Sequence, residues 1–293
     1  MVARRPGTAA VEVDLRAGRI RRRFAVAPDR LLCGHACFSA DGQIVFTTEV
    51  DAQTGAGRVG VRDARTYAPL GELDTNGLGP HELALMPDGR TLVVANGGLL
   101  TRPESGRQVL NLDTMDPSLV YLDLARGAVV EQVRLAEPKA SVRHLAVAQD
   151  GTVAVATQVQ REAMAGAAVV PLAALHRRGE PLRPLAAPEP VTAALADYLG
   201  SVALSEASGV AGFTSPRGDL AAFWRLRDGA FLGYHRMVDV CGLAVTSDQQ
   251  RFVLSNSLGE LRWLDAHTLA EDRAARRHAP GLRWDNHLIA GVL

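Results

Sequence analysis

The sequence predicts an all-β protein, and three observations carry that expectation. An apolar strand-turn-strand unit recurs five times, a second hairpin follows each copy, and helical periodicity is nearly absent. The clearest copy is PHELALMPDGRTLVVAN, residues 80–96. In it Leu83 and Leu85 alternate with Ala84 and Met86, Pro87-Asp88-Gly89 supplies turn chemistry, and Leu92, Val93 and Val94 form a second apolar run. The layout returns as GHACFSADGQIVFTTEV from Gly34, VRHLAVAQDGTVAVATQ from Val142, GSVALSEASGVAGFTSP from Gly200 and CGLAVTSDQQRFVLSNS from Cys241.

The second hairpins read as SLVYLDLARGAVVEQVRL from Ser118, LAAFWRLRDGAFLGYHR and ELRWLDAHTLAEDRAAR. Two hairpins per unit, with starts about 40 to 60 residues apart, describe the four-stranded blade of a β-propeller, here a single domain over residues 1–293. Val191, Leu195, Tyr198 and Leu199 share a helix face and read as a short connection between blades. Gly97 to Pro117 is too long for a within-blade turn and reads as a surface excursion. The chain opens on an outer hairpin, VEVDLRAGRIRRRFAV, without an inner one. Asn286-His287-Leu288-Ile289-Ala290 reads as an inner strand without an outer hairpin, so each end supplies what the other lacks. Five full blades and two partial ones fit either a closed six-bladed ring or an incomplete seven-bladed one.

Composition narrows the partners. The 293 residues, 47% hydrophobic, suffice for one large core. The 32 basic and 32 acidic side chains cancel, which removes the global positive field that nucleic-acid and membrane-surface binders show. No apolar run reaches the roughly 18 residues of a membrane span, and MVARRPGTAA lacks the apolar stretch of a secretory signal. A monomer with no nucleic-acid partner and no membrane span is expected.

The chemistry-bearing residues recur with the repeat. His35, His81 and His144 precede the turn aspartates Asp41, Asp88 and Asp150 by six or seven residues. Cys241 precedes Asp248 in the same manner, and His287 leads the C-terminal inner strand. Inner strands of a propeller surround its axis, so these five residues are candidate metal ligands around one channel mouth. They suit zinc, copper or iron, or haem. A structural reading stands beside this one, in which each imidazole bonds a neighbouring blade's backbone and Cys241 is a small buried hydrophobe. His176, His235 and His267 fall in outer hairpins and read as solvated or structural. Cys33 and Cys37 are too far apart along a strand, roughly 13 Å, for a disulfide, and read as core. Arg16, Arg19, Arg21, Arg22 and Arg23 make a basic outer hairpin, in keeping with a soluble edge.

The segments GHACFSADGQIVFTTEVDAQTG, LGPHELALMPDGRTLVVANGG, SLVYLDL, SVRHLAVAQDGTVAVATQ, GSVA, DVCGLA and RWDNHL, in this order and over nearly the whole chain, resemble a bacterial propeller family, domain of unknown function 1513. The resemblance implies a seven-bladed, exported, periplasmic protein encoded beside imelysin-type iron-regulated proteins and haem-containing partners, with an incomplete N-terminal blade here. It also implies an export signal and further strands ahead of the motif that ARRPGTAAVEVDL resembles, so the chain reads as N-terminally truncated, with a six-bladed cytoplasmic variant as the other reading. The function expected first is a non-enzymatic cell-envelope protein that handles iron, haem or another metal, with envelope iron-uptake proteins as partners. Its rivals are a lactonase-like propeller hydrolase holding a divalent ion through Glu49, Glu82, Asn96 and Asp285, with Asp51 near the same strand ends, and a protein-interaction platform without a small ligand. No nucleophile elbow, phosphate loop or His-Glu-x-x-His is present.

Overall fold

Alternation of apolar and polar residues along short runs, cut by aspartate and glycine turns, builds antiparallel sheets throughout. The computed structural model describes residues 2–3, 6–106, 108–166 and 168–291. The chain falls into two compact units, residues 1–143 and 144–292.

In the first unit, β1 (Val2–Ala3), β2 (Ala9–Asp14) and β3 (Arg19–Ala25) form a three-stranded sheet. A four-stranded sheet follows, of β4 (Arg30–Phe38), β5 (Ile44–Asp51), β6 (Ala56–Asp63) and β7 (Pro69–Leu78). Another is made by β8 (Pro80–Leu85), β9 (Thr91–Asn96), β10 (Ser118–Asp123) and β11 (Ala128–Val133). β12 (Ala140–Val147) opens in this unit and ends in the second, where its sheet is continued by β13 (Val153–Val159), β14 (Ala173–His176) and β15 (Arg183–Pro184). Helix α1 (Glu189–Ala194) leads to β16 (Ser201–Ser205), β17 (Val210–Ser215), β18 (Leu220–Arg225) and β19 (Phe231–Arg236). The last sheet is β20 (Val240–Val245), β21 (Arg251–Asn256), β22 (Glu260–Asp265) and β23 (Arg277–His278).

Each strand pairs with its sequence neighbour, as in the meander of a propeller blade, so the all-β class and the four-stranded blade hold. Among the described residues there are five four-stranded sheets and one three-stranded sheet at the N-terminus. All five inner hairpins lie where the repeat places them.

The turn chemistry explains the hairpins. Asp41 Oδ1 accepts from Ser39 Oγ at 2.6 Å and from Gln43 N at 3.0 Å, while Gly42 takes the left-handed φ of 69° that the turn requires. In the fifth copy the same geometry is built around Asp248, but Gln249, not glycine, carries the positive φ of 58°. Packing follows from the alternation. In the first unit Phe46, Leu83, Leu92, Val94, Val120 and Leu122 form one core cluster, and in the second Phe223, Leu243, Phe252, Leu254 and Leu264 form another.

Three expectations need correction. The outer hairpin ELRWLDAHTLAEDRAAR loses its second strand: Arg276 clasps the Glu271 carboxylate, Asp272 accepts from Ala275 N at 3.2 Å, and residues 273–275 wind into a 3-10 turn before β23. α1 stops before Tyr198 and Leu199 because Ala196 and Asp197 adopt left-handed φ of 50° and 57°. Residues 286–290 form no strand. No helix among the described residues is long and apolar enough to cross a membrane.

Candidate metal centre

The histidine positions coincide with irregularities in the strand ladder. On β8, Pro80 pairs with Asn96 and Leu83 with Val94, so His81 and Glu82 together oppose Ala95. On β20, Val240 pairs with Asn256 and Leu243 with Leu254, leaving Cys241 and Gly242 opposite Ser255. On β4, Leu32 pairs with Glu49 and Ala36 with Thr47, which sets Cys33, Gly34 and His35 against Thr48. Extra residues of this kind form β-bulges, which re-aim side chains at sheet rims. β16 pairs with β17 in unbroken register from Ser201 to Ser205 and carries no imidazole or thiol.

The bulges also revise the sequence register. Counted from the paired residues Ala36, Leu83 and Leu243, His35 occupies the position of Glu82 and Gly242, whereas His81 occupies that of Gly34 and Cys241. The spacings of six and seven residues are therefore two adjoining positions. In a regular strand these would face opposite sides of the sheet.

In the first unit the bulges bring His35 and His81 together, with ring centroids 4.9 Å apart and planes at 59°. The Thr48 hydroxyl, fully buried on β5, ties their backbones: it accepts from His35 N at 3.4 Å and donates to His81 O at 3.1 Å. Glu82 Oε2 stands 4.0 Å from His35 Nε2. Sequence reasoning missed Thr48. Its signal was present, because hydroxyl residues recur at the matching second-strand position as Thr157, Thr214 and Ser255. Thr214 Oγ1 donates to Cys241 O at 2.6 Å in the same way.

In the second unit His144, 3% exposed, meets the ring of His287 edge-on at 5.1 Å. His287 rides on the irregular C-terminal segment, which Asn286 fastens by donating from Nδ2 to Tyr198 OH at 3.1 Å. Two glycines make room for this segment. A Cβ at Gly242 would come within 2.9 Å of Leu288 Cβ, and one at Gly200 within 2.8 Å of Asn286 Oδ1. Cys241 lies at its bulge, but its Sγ donates to Asp239 O at 3.0 Å. Burial, with the charges of Asp239 and Asp285, pushes its pKa up to about 11, so it is a neutral thiol at neutral pH.

Of the oxygen ligands expected for a hydrolase, Glu49 and Asp51 each meet an arginine, whereas Asn96 Oδ1 is buried without a hydrogen-bond partner among the described residues. Glu49 is buried against Arg62 Nη1 at 2.5 Å, and Asn96, fully buried, donates from Nδ2 to Thr75 O at 2.8 Å. Asp51 accepts from Thr54 N at 2.8 Å and from Arg30 Nη1 at 3.1 Å. Cys33 and Cys37 form no disulfide, and burial pushes the Cys37 thiol up to about 12. His176 is structural rather than solvated: it is 2% exposed, and its Nε2 meets Glu180 O at 2.8 Å.

The chain belongs to the DUF1513 family, described as a protein of unknown function, whose match covers residues 1–291. Comparison with curated proteins finds no match.

Proposed function

We propose that this DUF1513 member is a non-enzymatic metal-binding protein of the cell envelope that takes a transition metal through the His35–His81 pair of the first unit. The observation that carries the reading is the His35–His81 pair, whose rings two bulges and a shared threonine hydroxyl bring to 4.9 Å at a tilt of 59°. Imidazole nitrogens suit zinc, copper or iron at about 2.0–2.1 Å, and two of them leave coordination positions open for cargo exchange. His144, Cys241 and His287, all of the second unit, are further candidates by their place in the repeat alone. Iron or haem handling in the periplasm, with envelope iron-uptake proteins, is the biological setting proposed.

Metal analysis and titration with iron, copper, zinc and haem test the proposal. The purified chain should bind one equivalent of at least one of them, and a His35→Ala/His81→Ala variant should lose at least about a hundredfold in affinity. Equal binding by both proteins, or binding by neither, would make the histidines structural and favour the interaction platform.

A further inference from the structure

The first unit holds a second built feature, a cavity of about 480 Å³ next to the end of β3 and the faces of β4 to β7, with no histidine in its lining. Its wall presents a buried ion pair, Glu49 of β5 and Arg62 of β6, whose side chains are 3% and 6% exposed. The pair lies directly over Gly60, where any Cβ would collide with Glu49 Oε1 and Arg62 Nη1.

All hydrogen bonding of the two side chains runs through one atom of each. Arg62 Nη1 donates to Glu49 Oε1 at 2.5 Å and to Thr47 Oγ1 at 2.6 Å, and Thr47 Oγ1 donates to Glu49 Oε1 at 2.6 Å. Arg62 Nε and Nη2 and Glu49 Oε2 make no hydrogen bond among the described residues. The guanidinium carbon stands 5.6 Å over the Phe24 ring centroid, a cation–π contact on one side of the group. None of these three atoms is among the fully buried unpartnered ones, so they are open to the cavity, where a ligand or water can pair with them.

The open atoms define that ligand. An Nε/Nη2 fork matches a carboxylate with two parallel hydrogen bonds, and Glu49 Oε2 can accept from a cationic or neutral donor on the same molecule. The lining carries three carboxylates, Asp29, Glu49 and Glu72, against Arg30 and Arg62, an excess of one negative charge that favours an ammonium over a hydroxyl. Arg30 is already held by Glu72 through two contacts of 2.9 Å. Val26 and Pro69 add an apolar side with room for a short aliphatic chain. We propose that this cavity binds a free α-amino acid, its carboxylate on Arg62 and its ammonium on Glu49 Oε2. The proposal is independent of the metal reading.

Calorimetric titration of the full chain with each proteinogenic amino acid tests it, followed for the tightest by its α-hydroxy acid and its decarboxylated amine. Gly71 lines the cavity, and a Cβ there would meet nothing within 4 Å, so Gly71→Phe fills the space without touching the ion pair. At least one amino acid should bind with a Kd below about 1 mM. Gly71→Phe should weaken it at least about tenfold with an unchanged melting temperature, and Glu49→Gln should reduce the preference for the amino acid over the hydroxy acid. Absence of binding by every amino acid, equal affinity in Gly71→Phe, or equally tight binding of the hydroxy acid or the amine would each overturn the proposal.

Discussion

The β8–β9 and β16–β17 hairpins share their repeat, their apolar content and their connection to a third strand, yet differ by one residue in the ladder. β16 keeps register throughout, so its side chains alternate between sheet faces. β8 carries one residue more than its partner can match, and at that residue the alternation breaks and His81 swings towards His35. A regular ladder fixes every side chain by its neighbours, whereas a bulge frees one position from the two-residue period and makes it available for a site.

Removing the difference gives the largest expected effect. Deletion of Glu82 would leave His81 alone opposite Ala95 and convert β8 to the regular pattern of β16. Metal affinity should fall by about a hundredfold or more while the chain still unfolds cooperatively. Titration of the deletion variant against the parent checks this, and unchanged affinity would show that the bulge does not aim the imidazole.

A matched pair of substitutions sharpens the comparison. Thr48→Val and Thr214→Val each leave a backbone carbonyl, of His81 or Cys241, without its hydroxyl donor, and each should cost about 1–3 kcal/mol in urea unfolding. Only Thr48→Val should also weaken metal binding, by about tenfold, because only its hydroxyl joins two imidazole-bearing strands. Equal metal effects would reduce Thr48 to structural support.

The smallest effect concerns the thiols. With pKa values raised to about 11 and about 12, Cys241 and Cys37 are protonated at pH 8, and iodoacetamide should modify both at least about a hundredfold more slowly than a free thiol. Peptide mapping after timed alkylation reads this directly. Fast labelling of Cys241 that zinc suppresses would place it among the ligands.

The fold was legible because its period is short and its turns are chemically explicit: Asp41-Gly42, Asp88-Gly89 and Asp150-Gly151 mark three hairpins without ambiguity. Elements held by side-chain contacts were not. The Glu271–Arg276 clasp overrode a plausible strand, and the segment around His287 is fastened through Tyr198 and two glycines distant in sequence. The histidines were legible as a recurring residue type, but their one-position offset was hidden, since a bulge is a property of pairing and no single strand displays it. Glu49 looked like an exposed ligand because Arg62, its partner, lies on the next strand of the sheet.

Gln249 shows the same trade in mechanical form. Its left-handed backbone costs about 1–2 kcal/mol that glycine would avoid. In return its Oε1 accepts from Glu206 N at 2.7 Å and from Ala207 N at 3.2 Å, and its carbonyl accepts from Ser205 Oγ at 2.7 Å. A tight turn at the tip of one sheet thus works as a rivet through the tip of the next. Besides the core that the β16–β19 and β20–β23 sheets share, the tips are held together by these three bonds, and a change to glycine would relax the local backbone while removing the two that the side chain accepts.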